Sequence, residues 1–182
     1  MEKIKAILSE VSKVLSQVDE SELEGISGRL GTAKRIFVVG EGRSGLMAKS
    51  FAMRLMHLGA TVYVVGETIT PSIAQGDLLV AVSGSGTTQN VVSVAEKSAK
   101  LGCVVIAVTT NPESPLAQHA TTILHVPAAT KYRKESEAPS IQPLGSLFDQ
   151  AVHLLFDTIC LYYADHQNVD HQGAFKKHSN LE

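Results

Sequence analysis

Residues 78 to 100 constrain the fold more than any other stretch of the chain. Leu78-Leu79-Val80-Ala81-Val82 is an unbroken apolar run that reads as a strand buried on both faces, and Val91, Val94, Ala95 and Ala99 fall at the spacing of a helix laid back over the sheet. Between them, Ser83-Gly84-Ser85-Gly86-Thr87-Thr88 consists of hydroxyls and glycines. Gly84 and Gly86 let the backbone approach a ligand closely, the helix start offers unpaired N–H groups, and Ser83, Ser85, Thr87 and Thr88 add O–H donors. Such a loop is a cradle for a phosphate. A nucleoside triphosphate loop needs a Lys at the G-x-x-x-x-G-K-[ST] spacing, whereas Thr87, Thr88, Gln89 and Asn90 follow Gly86 here. Neutral donors suit a phosphomonoester that is bound and released without transfer. The competing reading is a plain Ser/Thr cap on an ordinary helix.

At 182 residues and 44% hydrophobic composition, with no Pro- or Ser-rich linker, the chain predicts one domain over 1–182. A net charge of −2 gives no reason to expect nucleic acid or an acidic membrane surface as partner. No apolar run reaches the ~18 residues of a spanning helix, and Met1-Glu2-Lys3-Ile4-Lys5 lacks the apolar segment of a signal peptide, so a cytoplasmic protein is expected. Cys103 and Cys160 lie in apolar surroundings and read as free, inert thiols. The seven histidines show no metal-ligand spacing, and no metal site is predicted.

Residues 2 to 18 carry Ile4, Ile7, Leu8, Val11, Val14, Leu15 and Val18 on one helical face, which must cover the sheet or a second subunit. A second helix is predicted from Ser21 to about Gly31, with Ser21 and Glu24 as a capping box, so that N-terminal helices occupy 2–31. A sheet-and-helix core follows over 35–126. Its first strand, Arg35 to Val39, runs into Gly40-x-Gly42-x-x-Gly45, which alone resembles a dinucleotide fingerprint with Glu67 placed as the ribose-binding acid. The second Gly/Ser loop and the donors Arg43 and Ser44 argue against that reading. Further strands are expected at 61–65, 78–82, 103–108 and 122–126. Strands alternating with helices at about 25–30-residue spacing predict an α/β fold, a five-stranded parallel sheet with helices on both faces in a flavodoxin-like three-layer arrangement. Loops at the carboxyl ends of such strands gather at one rim, which brings Ser44 and the 83–88 loop to one pocket. The polar stretch 127–142 reads either as a solvated loop or as a mobile cover whose Lys131, Arg133 and Lys134 attract an anion. A buried helix follows over 144–164, with Asp149 near its positive end, and a polar tail over 166–182.

Two hydroxyl-rich loops on a parallel sheet resemble the sugar isomerase (SIS) domain, in which a Ser of the first loop and an S-x-S-G-x-T loop hold a sugar phosphate. The matching positions are Ser44, Ser83, Ser85, Gly86 and Thr88. The stretch Gly42 to His57, with Val65-Gly66-Glu67, Thr70-Pro71, Asn111-Pro112-Glu113-Ser114, Ile141 to Phe148 and the terminal Asn180-Leu181-Glu182, is similar to the 6-phospho-3-hexuloisomerase family over nearly the whole chain. The resemblance implies interconversion of D-arabino-hex-3-ulose 6-phosphate and fructose 6-phosphate, without cofactor, in the ribulose monophosphate route of formaldehyde assimilation. It implies a homotetramer and a functional link to hexulose-phosphate synthase. It carries the family's proton acceptor, a Glu after Leu-Phe, onto Asp149, whose reach is roughly 1.5 Å shorter. It also makes His178, in Lys177-His178 where relatives often have a His pair, an acid or base in a neighbouring subunit's site. The alternatives are a non-catalytic sugar-phosphate-binding module and an isomerase for another phosphosugar.

Overall fold

The computed structural model describes residues 2–135 and 137–181. Met1, Ser136 and Glu182, which fall in the expected domain, the polar stretch and the terminal Asn-Leu-Glu, lie outside the described residues. Five strands form one all-parallel sheet: β1 (Ile36–Gly40), β2 (Val62–Val64), β3 (Leu78–Val82), β4 (Val104–Thr109) and β5 (Thr122–His125), in the order β2-β1-β3-β4-β5. The apolar run chosen from the sequence is the central strand, buried at all its residues, which is the signature of a strand covered on both faces. Ile36 and Val38 pack on one side of the sheet and Phe37 and Val39 on the other, as the period of two requires.

The first side carries α1 (Glu2–Leu15), α2 (Glu20–Thr32), α3 (Gly42–His57) and α5 (Ser146–Gln167). The opposite side carries α4 (Gln89–Lys100) and a 3-10 turn, Ala117–His119. Helices on both faces are thus observed. α5 is the buried axis of the thicker layer, its Phe156 ring stacked on Phe51 of α3 at 4.1 Å.

Several local expectations give way to better physical solutions. The cap of α2 is Asp19, whose carboxylate accepts the Ser21 N–H at 2.9 Å, so the helix starts before Ser21 and the Ser21–Glu24 box does not form. α5 starts at Ser146 because Leu144 takes φ 53, and it ends where Asn168 does the same. The tail holds a short helix α6 (His171–Phe175), capped by Asp170. The dinucleotide reading fails on topology and on chemistry. The order 2-1-3-4-5 is the flavodoxin-like one, and Glu67 faces Lys49 at 3.3 Å. Gly45 serves close packing instead, since a Cβ there would stand 2.7 Å from the carbonyl oxygen of Gly40.

At the amino edge of the sheet, buried Asp77 accepts from Arg35 Nε at 3.0 Å and Nη2 at 2.6 Å and from the Ala74 N–H at 2.8 Å, tying the starts of β1 and β3 together. The Arg35 hydrogen bonds hold the Asp77 carboxyl below the usual carboxylate range. Its contribution is therefore present above the ordinary Asp pKa and lost as pH falls through the lower folded value. Asp77→Asn is expected to reduce unfolding free energy at pH 7 by about 1–3 kcal/mol, and urea titrations should show the gap closing below about pH 4.

Candidate active site

In the order 2-1-3-4-5 the chain reverses direction across the sheet between β1 and β3, and the crevice outside the carboxyl ends of the strands at that point is the favoured ligand position. A cavity of about 390 Å³ lies there. Three helices begin at its wall: α3 through Gly42, Arg43 and Ser44, α4 through its N-cap Thr88, and α5 through Gly145, Phe148 and Asp149. None of the three has a side chain closing its first turn, although Asp19 and Asp170 cap α2 and α6 in that way. Three sets of open N–H groups and three positive helix ends thus converge on one cavity. The plain-cap reading of the Ser/Thr loop fails at Thr88, whose hydroxyl pairs with Ser83 Oγ at 2.8 Å.

Asp149 is 4% exposed at the cavity wall. Ser44 Oγ–H donates to its Oδ1 at 2.9 Å, and Arg43 Nε stands 3.4 Å from its Oδ2. Burial pushes the Asp149 carboxyl up from the ordinary carboxylate range, and the Ser44 hydrogen bond and the Arg43 charge pull it partly back. Arg43 also donates to Ser146 Oγ at 3.2 Å, which holds its guanidinium across the start of α5. Ser44, expected as a phosphate donor, spends its hydroxyl proton on Asp149 and so orients the carboxylate.

The cradle divides its labour in a way the letters do not reveal. Ser83, Gly84, Ser85 and Thr88 line the cavity; Gly86 and Thr87 do not. Ser83 Oγ accepts the Gly86 N–H at 3.1 Å and braces the loop from within. Gly86 sits at φ +66 with Ser114 Oγ 2.1 Å from where a Cβ would be, so its role is to let the loop pass the β4 connection. Ser85, paired with Thr87 Oγ1 at 2.9 Å, is the hydroxyl turned to the opening. His178 is not part of this cavity. Its ring stacks on His57 at 5.3 Å, at the far end of α3 and about 20 Å along that helix from Ser44.

Sequence reasoning missed Thr130 and Leu144, which close the cavity from the 127–145 strap, and Phe148, whose ring lies 3.2 Å from where a Gly84 Cβ would be. It also missed what fastens the strap. Glu10 of α1 accepts from Ser140 Oγ at 2.8 Å, the Ile141 N–H at 2.7 Å and Gln142 Nε2 at 3.1 Å. Against the opposing effect of burial, these bonds hold its carboxyl below the usual range. A polar residue on an amphipathic helix gives no sign of a partner some 130 residues on. Among the described residues no group of three His, Cys, Asp or Glu is arranged to hold a metal ion, and no helix is long and apolar enough to cross a membrane.

Residues 29–154 match the SIS domain family model. The 3-hexulose-6-phosphate isomerase of Bacillus subtilis (strain 168) is 39% identical over 181 residues, covering 100% of this chain and 98% of its own. That of Mycobacterium gastri is 42% identical over 176 residues, covering 97% and 88%. A crystal structure of a hypothetical protein from Methanococcus jannaschii, for which a molecular function of 3-hexulose-6-phosphate isomerase was inferred, superposes with a TM-score of 0.85 at 31% identity, over 100% of both chains.

The raised pKa of Asp149 has a stability consequence of known sign. Its ionisation costs the folded state stability as pH rises from the ordinary Asp value through the higher folded one. Asp149→Asn is expected to unfold at a higher urea concentration than the parent at pH 7, with the advantage disappearing near and below about pH 4.

Proposed function

This chain belongs to the SIS domain family, and we propose that it interconverts D-arabino-hex-3-ulose 6-phosphate and D-fructose 6-phosphate, with Asp149 as the proton carrier. The observation that carries the site assignment is the meeting of three uncapped helix starts at the cavity that holds Asp149. The phosphate of the substrate is received by Ser85, the Gly84 backbone and the start of α4, which supply neutral donors and a positive dipole end. That grip fixes the sugar at a distance from the reacting carbons, so its binding energy goes into orientation.

The reaction moves a carbonyl from C3 to C2. The Asp149 carboxylate takes the proton from C2, the electron pair forms the C2–C3 double bond of an enediolate with charge on O3, and the same carboxyl returns the proton to C3. The hydroxyl proton of O2 passes to solvent as the C2 carbonyl forms, and one is returned at O3. One carboxylate suffices because the carbons are adjacent. Burial pushes the base up from the range of a surface Asp, and the Ser44 hydrogen bond and the Arg43 charge oppose that shift. The Ser44 hydrogen bond fixes the rotamer of this shorter side chain.

We assign His178 no role in its own chain's cavity. In the proposal it serves a neighbouring copy in a cytoplasmic homotetramer, where the exposed tail is within reach of another subunit. Leu46 and Met53 on α3 and Leu154 and Leu161 on α5, each pair one heptad apart, are exposed apolar residues suited to burial between copies. The synthase that makes the hexulose phosphate is the functional partner in this reading, and no cofactor enters it.

A carboxylate that carries the proton and a hydroxyl that grips the phosphate leave different kinetic marks. In an assay coupling fructose 6-phosphate consumption to the synthase reverse reaction, Asp149→Asn is expected to lower kcat by about 10²–10⁴ with KM little changed. Ser85→Ala is expected to raise KM with kcat nearly intact. An Asp149→Asn enzyme with parental turnover overturns the assignment.

A further inference from the structure

A second cavity, of about 560 Å³, adjoins the first along the same rim of the sheet. Its floor is the carboxyl end of β4 and β5, at Asn111 and His125, its outer wall is α1 and the turn that follows it, through Lys13 and Gln17, and the strap covers it with Tyr132 and Lys134. The two cavities share Ser85 and Thr130 as a party wall. The smaller one already has the size of a small-ligand site, so the isomerisation leaves the larger one unassigned.

Its chemistry is that of an anion site. Lys13 and Lys134 form no ion pair among the described residues. The lining carboxylate, Glu137, is committed to Thr130, accepting its N–H at 2.7 Å and its hydroxyl at 2.6 Å. Asn111 gives its Oδ1 to the Glu113 N–H at 3.0 Å, which leaves its NH₂ to donate. Tyr132 supplies an aromatic wall for C–H groups. Two uncommitted ammonium groups, an amide donor and an aromatic face describe a receptor for a short hydroxylated chain ending in a phosphate.

We propose that this second cavity binds a small phosphate monoester of a polyol, with the phosphate between Lys13 and Lys134 and the hydroxyls toward Asn111 and Gln17. Because Ser85 and Thr130 serve both cavities, a dianion here repels the phosphate of the substrate across the shared wall, and occupancy acts as a brake on the first site. The binding concerns a cavity outside that of Asp149, and the brake rests on the reading that the Asp149 cavity takes the substrate's phosphate.

Equilibrium dialysis on the intact chain tests it with two probes: glucitol 6-phosphate, which has no carbonyl and cannot be turned over, and inorganic phosphate. The expected result is two glucitol 6-phosphate sites per chain, of which Lys13→Ala/Lys134→Ala loses one, and weaker filling of that site by inorganic phosphate. The single variant Lys13→Gln, at an exposed helix position where folding is not at stake, should weaken the same site. A parent whose one or two sites are all retained by Lys13→Ala/Lys134→Ala overturns the proposal, whereas a single parental site that this variant removes upholds it and counts instead against the Asp149 cavity as a sugar-phosphate site. Inorganic phosphate bound as tightly as the ester overturns the polyol assignment in favour of free phosphate.

Discussion

Everything at the rim depends on where the chain reverses its winding. Between β1 and β3 the connections leave to opposite sides of the sheet, so neither of the following helices covers the carboxyl ends there and both start beside the same opening. α5 arrives from a distant part of the sequence and adds a third start. Each would ordinarily meet its open N–H groups with a capping side chain. Here they are left to whatever enters, and the stability forgone in each missing cap is on the order of 1 kcal/mol. In the proposed function, an anion completes the site.

That arrangement also sets the conflict at Asp149. A carboxylate in the first turn of a helix is favoured as the anion, yet a carboxylate removed from water is not. Burial prevails, and Ser44 and Arg43 temper it. The opposite balance holds at Asp77, where a guanidinium with two hydrogen bonds outweighs the effect of burial. The two aspartates share a side chain and differ only in what surrounds them, one suited to exchanging a proton and the other to staying charged.

The sheet was legible because its code is local: five apolar runs, each ending in turn chemistry, leave little choice of class. The 83–88 loop was legible for the same reason, as was the convergence of Ser44 with it, which follows from strand order alone. The duties within the loop were not. Whether Ser83, Ser85 or Gly86 meets a ligand depends on how the loop passes Ser114, and that contact belongs to the β4 connection. Ser44 read as a phosphate donor because nothing nearby in sequence announces Asp149 as its acceptor. The cap at Asp19 was missed for a smaller reason, that two candidates two residues apart compete and only backbone dihedrals choose between them. Thr130 and Glu10 were out of reach altogether, since a polar residue without periodicity carries no record of its partner.

The Glu10 clamp gives the first helix a meaning that its position at the start of the chain conceals. Its apolar face packs on α5, but its carboxylate reaches over the rim to hold a segment some 130 residues further along the chain. Contacts of such long sequence separation form late and add little to the framework already standing. Trimming the N-terminus as a dispensable leader would therefore take Val11 and Val14 out of the core and unlatch the roof at one stroke.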